Sequence, residues 1–427
     1  MKKLLLSMAA LPLVIGGLSV SASADGINIL DNMKLKGEIR PRYENVDDGN
    51  SATSNANAYT ARTKLAVTGN LLDVDGLSAT VGVISVNNFG SKKYNSTSNG
   101  QTQYAVVADP QKAMISNAEI NYTVNNTTLH AGRGQVNLDN QRFIGTVGWR
   151  QLERSYDSVF IANNSVKNLS VLAAWVYGLQ GVKSLRGNNG IYGENTYDTN
   201  TVLLHAAYTV MPALKVTAYD YMIANIADTY GIALTGKLAF AGAKLNYRAE
   251  YAGQGDASME IHTQTPTTGK ADAYYYNLDL GANVNGILAG VNYEFLSGST
   301  GTDGKTAFQA TLGTNHKFNG WADQFLSTPS GGLTDFNVRL GYKAKGFGKI
   351  LAVYHNFLAD KKMNTNTPGI ISDDLGSEFD AVYVNKIPGV NNLKGLLKYA
   401  DYSGGTVTNY TNNVQKIWVG LDYKFAF

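Results

Sequence analysis

The sequence predicts an all-β fold: a transmembrane antiparallel up-and-down β-barrel of 18 strands over residues 25–427, behind an export signal at 1–24. Three observations predict it. Polar and apolar residues alternate over unusually long segments. The connections between those segments are short and long by turns. After the first two dozen residues, no window holds the ~18 consecutive apolar residues of a membrane helix.

The alternation is plain in the first segment. Lys34, Lys36, Glu38, Arg40, Arg42 and Glu44 share one parity, and Leu35, Gly37, Ile39, Pro41 and Tyr43 the other. A helix would scatter those charges around its circumference, whereas a strand puts them all on one face. The last segment repeats the pattern, with Ile417, Val419, Leu421, Tyr423, Phe425 and Phe427 opposing Lys416, Trp418, Asp422 and Lys424. The run from Ala243 to Tyr251 does the same around Lys244, Asn246, Arg248 and Glu250. The segments run about 10 to 13 residues, longer than the 5 or 6 usual in soluble domains and matched to a tilted bilayer crossing. A mean hydropathy of -0.17 looks soluble, but a barrel that is apolar outside and polar inside has an unremarkable average.

The export signal rests on Lys2 and Lys3, an apolar run from Leu4 to about Val20, and the small residues Ala22-Ser23-Ala24. Cleavage after Ala24 would leave about 400 residues, with no Cys, and lower the net charge from +3 by two lysines to +1. An exported chain without disulfides is held by its core or by backbone pairing. Near-neutral charge gives no reason to expect a nucleic-acid partner.

Short turns are expected at Asp73-Val74-Asp75-Gly76, Asn125-Asn126, Met211-Pro212, Phe240-Ala241-Gly242, Asn285-Gly286, Gly346-Phe347-Gly348 and Pro388-Gly389. Long polar stretches lie near 46–57, 90–110, 136–153, 180–198, 255–270, 299–332 and 360–375. Short periplasmic turns and long outer loops are the asymmetry of an outer-membrane barrel, which places the chain in a Gram-negative outer membrane among lipid and lipopolysaccharide. The predicted strands are 31–45, 58–72, 76–89, 112–124, 127–135, 154–163, 168–179, 198–210, 213–224, 230–240, 242–254, 271–284, 286–298, 334–344, 347–358, 376–388, 391–403 and 414–427. Sixteen is the alternative if the weakly alternating pair around 198–224 is misread. In hydrocarbon every backbone polar group needs an internal partner, so the first and last strands must pair. The terminal Tyr423, Phe425 and Phe427 resemble the signal by which barrel-assembly machinery recognises such strands.

A barrel of this size is too wide for side chains to fill, and no plug domain separates Ala24 from the first strand. The lumen must be narrowed by a loop, and 136–153 is the candidate. It carries Phe143, Ile144, Val147 and Trp149, which an exposed loop would avoid. Of ten Arg in the chain, Arg133, Arg142, Arg150 and Arg154 cluster here, with Asp139, Glu153 and Asp157 among them. Facing rows of opposite charge set a transverse field, and rings of Arg and Lys favour anions. The predicted constriction is therefore Arg133, Asp139, Arg142, Arg150, Glu153 and Arg154, and the predicted pore wall Glu38, Arg40, Arg42, Arg62, Glu119, Arg248, Glu250 and Arg339. The alternative is that these Arg are structural, pinning the loop to wall carboxylates such as Glu119 or Glu250.

The stretch Gly132-Arg133, then Leu138-Asp139-Asn140-Gln141-Arg142-Phe143, then Gly148-Trp149-Arg150-Gln151 resembles proteobacterial outer-membrane porins of the Opr type, related to the alginate-export barrels and to the major outer-membrane proteins of the Campylobacter relatives. The resemblance implies an eighteen-strand barrel with an inward third loop. Gly134-Gln135 stand where that group often has a second Arg.

Other signals carry less. Gly301-Thr302-Asp303-Gly304-Lys305-Thr306 lacks the spacing and context of a phosphate loop and reads as a surface loop. His130, His205, His262, His316 and His355 show no metal-ligand spacing. Asp47-Asp48 and Asp373-Asp374 sit in long loops, where solvated charge is the first reading and Ca²⁺ or lipopolysaccharide bridging the second. No cofactor is called for. No nucleophile constellation supports an enzyme. The functions left are a porin for small hydrophilic solutes with a mild anion preference, a selective channel or exporter for an anionic saccharide or carboxylate, and adhesion through the long loops. A homotrimer is compatible with the first, but no interface can be read from one sequence.

Overall fold

Backbone pairing in this structure, a computed structural model describing residues 23–24, 27–183, 198–261, 269–301 and 304–427, closes on itself. Most of the predicted export signal, His262 and Thr302-Asp303 lie outside the described residues. Eighteen antiparallel strands form one closed barrel in which each pairs with its chain neighbours and the last pairs with the first. They are β1 Leu30–Asp47, β2 Ala56–Leu71, β3 Leu77–Lys93, β4 Lys112–Val124, β5 Thr127–Gly134, β6 Ser155–Asn163, β7 Leu169–Gln180, β8 Asp198–Met211, β9 Leu214–Ile223, β10 Ala227–Phe240, β11 Ala243–Gly255, β12 Ala273–Val284, β13 Ile287–Leu296, β14 Leu333–Ala344, β15 Gly348–Asn364, β16 Ile371–Lys386, β17 Leu393–Ser403 and β18 Val414–Ala426. The weakly alternating pair is formed, β8 with β9 from Val202↔Met222 to Met211↔Leu214, so the count is eighteen and not sixteen.

The surface is inverted relative to a soluble protein. Val338, Leu340, Leu278, Leu280, Val419 and Leu421 are exposed, while Glu294, Asp335, Glu378, Asp380, Lys398 and Lys416 are buried. An apolar exterior of this extent belongs in a bilayer. Aromatic clusters mark both edges of the band: Tyr342, Phe347 and Tyr383 near the short turns, Tyr274, Tyr276, Tyr293 and Phe295 near the long loops.

The hairpin of β15 and β16 outruns its prediction, 347–358 and 376–388 becoming Gly348–Asn364 and Ile371–Lys386. Its extra residues, Ala359–Asn364, are mostly polar and do not alternate strictly, because beyond the membrane neither face must be apolar.

The seam closes by Leu35 N–H donating to the Phe427 carbonyl and Phe427 N–H to the Leu35 carbonyl, both 2.9 Å. Beside it, Phe425 lies over Gly37, where a Cβ would stand 2.1 Å from the ring. An aromatic covering a strand glycine pins register. Gly37→Val is expected to displace Phe425 and lower the yield of folded barrel severalfold, read as the heat-modifiable band in gel electrophoresis after refolding. Unchanged yield would remove this role from the pair.

Candidate functional site in the barrel lumen

The connection from Gln135 to Arg154 turns into the barrel. Its tip is built by local chemistry. Asp139 and Gln141 have φ of 51° and 69°, Gln141 N–H bonds the Leu138 carbonyl at 2.8 Å, and Asn140 Oδ1 accepts from the Arg142 N–H at 3.1 Å. Asn and Asp tolerate such turns and close them with their side chains. Phe143 then packs against Tyr219, Tyr275 and Phe308, with ring centroids 5.2 to 5.8 Å away.

A second loop, between β13 and β14, also folds inward. Phe308, Leu312, Ala322 and Phe325 are buried with Phe143 and Ile144 in one apolar cluster. A short 3₁₀ turn, Asn315–Lys317, faces the first loop, and Gly145 N–H bonds the Leu312 carbonyl at 2.9 Å. The sequence reading treats 299–332 as an outer loop. Its large apolar residues Phe308, Phe318, Trp321 and Phe325 are the same signal of inward folding that marks 136–153. A third loop, between β3 and β4, sends in Asp109, which is fully buried.

Buried charges fasten these loops to the wall. Arg142 donates to Glu294 at 2.8 Å, Asn315 at 3.2 Å and Asn319 at 3.0 Å. Arg150 donates to Glu44 at 3.1 Å and to Asp323 at 2.8 Å. Asp323 also accepts from Lys416 at 2.9 Å and meets His316 Nδ1 at 2.5 Å. Asp109 accepts from Arg42 and, at 2.9 Å, from the Gln151 N–H. Glu153 is held by Arg62 and, at 3.0 Å, by Lys64. The wall residues in this network come from β1, β2, β13 and β18, so the loops are stapled on both sides of the seam that closes the barrel.

Lys398 ties the staple together. Its Nζ lies 4.1, 4.0 and 5.0 Å from the ring centroids of Trp149, Trp321 and Trp418, and bonds His316 Nε2 at 2.7 Å. Three of the chain's four Trp thus surround one ammonium, and desolvated cation–π contacts are worth ~2 kcal/mol or more.

Protonation follows from burial and partners. Burial alone would raise the Asp323 carboxyl, but His316, Lys416 and Arg150 hold it well below its usual range. Burial, reinforced by Lys398 and opposed by Asp323, pushes His316 down to about 3. His316 is therefore neutral, its Nδ1–H donating to Asp323 and its Nε2 accepting from Lys398. Against the cost of burial, Arg42 and Arg150 hold Asp109 low, and Arg62 and Lys64 do so for Glu153.

The predicted residues divide into two groups. Arg142, Arg150, Glu153, Arg154, Arg42, Arg62 and Glu250 are buried, and Arg154 donates to the Gly145 carbonyl at 3.1 Å. All of these but Glu250 hold the inward loops in place. The anchors are Glu44 and Glu294, not Glu119 or Glu250: Glu119 accepts from Asn117 at 3.1 Å, and Glu250 pairs with Arg248 and Tyr219, each at 2.8 Å. The second group keeps an open face. Arg133 grips Asp157 through two bonds of 2.6 and 2.7 Å at 22% side-chain exposure. Arg248 pairs with Asp139 at 2.6 Å, and Arg339 with Asp279 at 2.6 Å. Arg40 belongs with the anchors instead, donating to the Gly148 and Arg150 carbonyls at 3.0 and 2.6 Å and to Gln151 Oε1 at 3.1 Å. Tyr423, Phe425 and Phe427 stand on the outer face, Phe427 being 77% exposed.

Polar spaces remain on the short-turn side of the loops. One of about 370 Å³ is lined by Arg248, Asp279, Lys317, Asp335 and Arg339. One of about 460 Å³ lies by Asp139, His205 and Lys215, and one of about 650 Å³ by Glu38, Lys64, Glu119 and Lys394. Among the described residues, no three His, Cys, Asp or Glu side chains are placed to hold a metal. Asp48 accepts from Thr53 at 2.7 Å, and Asp374 from the Gly376 N–H at 3.0 Å, both as local turn closures.

No sequence-family model matches the chain, and no curated protein matches it as a relative. Solved structures do. OccAB3 of Acinetobacter baumannii superposes with a TM-score of 0.71 at 12% identity, over 93% of this chain and 100% of that one. OccK9 (OpdG) of Pseudomonas aeruginosa gives 0.70 at 15% identity over the same shares. OccK8 (OprE) of Pseudomonas aeruginosa gives 0.69 at 14%, over 93% of this chain and 99% of that one. The Opr resemblance carried by the third-loop residues thus meets an Opr-named structure, and the fold this chain shares with these proteins is the closed eighteen-strand barrel.

Proposed function

We propose that the protein is an outer-membrane porin through which small hydrophilic solutes and ions diffuse passively, with a mild preference for anions. The observation that carries this reading is the polar space left inside the barrel beneath the loops, lined by the half-open pairs Arg248–Asp139 and Arg339–Asp279. Paired charges of opposite sign order water without binding one solute tightly. The apolar exterior supports residence in the outer membrane, and the outward Tyr423, Phe425 and Phe427 support delivery by the barrel-assembly machinery.

Purified, heat-modifiable protein in a planar bilayer is expected to give stable single-channel steps. Folded protein that never conducts would reject the reading. A second reading, a channel for an anionic saccharide or carboxylate, is favoured by the cationic side chains Arg248, Lys317 and Arg339 around one cavity. Under it, millimolar candidate solute should block ion current in a saturable way; proportionate, unsaturable reduction keeps the general porin.

A further inference from the structure

Most charges predicted for the constriction are already paired, Arg142, Arg150 and Glu153 in buried pairs and Arg133 and Asp139 in half-open ones. The uncompensated ones sit elsewhere. Six lysines flank three short turns: Lys237 and Lys244 on β10 and β11, Lys343 and Lys349 on β14 and β15, Lys386 and Lys394 on β16 and β17. Register places all six on the inner face. Lys343 shares parity with Asp335 and Arg339, Lys349 with His355, Lys386 with Glu378 and Asp380, Lys394 with Lys398, and Lys237 pairs with Asn246, two residues from Lys244 and from Arg248. None forms an ion pair among the described residues, and all but the half-buried Lys349 are exposed. Two inward carboxylates lie near them, and each meets another cation: Asp279 is held by Arg339 at 2.6 Å, and Asp422 of β18, directly opposite Lys394, lies 3.8 Å from Lys424.

Two of the cross-strand pairs set like against like. Lys343 is directly opposite Lys349, and Lys386 directly opposite Lys394. Lys237 and Lys244 are diagonal neighbours. Like charges in those positions destabilise a sheet, so the barrel alone gives no reason for them. Each lies within four residues of a turn, roughly 13 Å at a strand's rise per residue. They line one mouth of the lumen, and short turns identify it as the periplasmic mouth.

We infer that this mouth is an anion-gathering vestibule: the six inward lysines hold small multivalent anions at the periplasmic end of the barrel and thereby bias ion flow through it. The bias rests on the porin reading, whereas the binding does not. A ring of fixed charge on one side of the constriction raises the local anion concentration on that side only, so current becomes asymmetric in voltage. The effect is screened as the Debye length falls from ~10 Å at 0.1 M salt to ~3 Å at 1 M.

The test uses the full barrel and the variant Lys343→Gln/Lys349→Gln/Lys386→Gln/Lys394→Gln, which relieves repulsion and leaves the loop staples intact. The first measurement is binding of the fluorescent trisulfonate pyranine to detergent-solubilised protein, by anisotropy in ~0.05 M salt. Wild type is expected to bind, with affinity falling at least tenfold in the variant and at 1 M salt. Absence of binding, or equal binding by the two proteins, overturns the vestibule. The second is current in a planar bilayer under a salt gradient. Wild type is expected to show an anion-selective reversal potential and rectification, both lost in the variant with step size within twofold. Unchanged selectivity and rectification overturn the bias. Silence from a wild type that binds pyranine would reject the porin and leave the anion site standing.

Discussion

Asp323→Ala is expected to release the two inward loops while leaving the barrel closed. Asp323 is the acceptor shared by Arg150 of one loop, His316 of the other and Lys416 of β18. Among the described residues, its loss leaves Lys416 with no carboxylate partner and Arg150 with Glu44 alone. Stranding buried cations in this way costs about 3–5 kcal/mol. The strand ladder is untouched, so the folded band on gels should persist. Single-channel current should become larger and noisier as the loops leave the lumen. An unchanged, quiet conductance would show that the staple is redundant. The pH dependence has a definite sign. A carboxyl whose folded pKa is depressed contributes stability above its unfolded value, ~3.9, and loses it only as pH falls through the lower folded value. The Asp323 carboxyl is held well below its usual range, and His316, pushed down to about 3, stays neutral. Conductance of the wild type should therefore hold steady from pH 7 to pH 5, while Asp323→Asn at pH 7 should already show the noise that wild type reaches only in strong acid.

Why the barrel was legible and its interior only partly so has a physical reason. A membrane strand must satisfy one rule along its whole length, apolar outward and polar inward, and Lys34 to Glu44 or Ile417 to Phe427 display it without any knowledge of partners. The inward loop at 136–153 was also legible, because Phe143, Ile144 and Trp149 have nowhere else to be buried. What each Arg does was not legible. Anchoring or lining the pore depends on which carboxylate lies opposite in space, and Glu44 and Glu294 are 106 and 152 residues from their partners Arg150 and Arg142. Alternation shows that a wall residue faces inward but says nothing about what meets it there. The same limit hid Lys398. In sequence it is one more inward lysine of β17; only closure of β17 to β18 and the approach of both loops set three Trp around it.

Arg142 offers a test that separates anchoring from ion selection. Its guanidinium is buried between Tyr275 and Phe318, 5.8 and 4.9 Å from their ring centroids, and pairs with Glu294. Its pKa is raised: burial acts to lower it, but Glu294 and the Tyr275 contact outweigh that. Arg142→Ala leaves Glu294 as an unpaired buried carboxylate, and breaking a buried pair from one side costs about 3–5 kcal/mol. Replacing both members by apolar residues of similar volume, Arg142→Met/Glu294→Met, is often neutral or stabilising. An anchoring Arg142 therefore makes the single variant noisy and more easily nicked by protease between Val136 and Arg154, and makes the double variant quieter than the single. A selecting Arg142 behaves otherwise. Its charge would act on ions in the lumen, so reversal potential would shift in the single variant and stay shifted in the double. The expected outcome is recovery in the double variant with an unmoved reversal potential, because at 3% exposure Arg142 offers no surface to a passing ion.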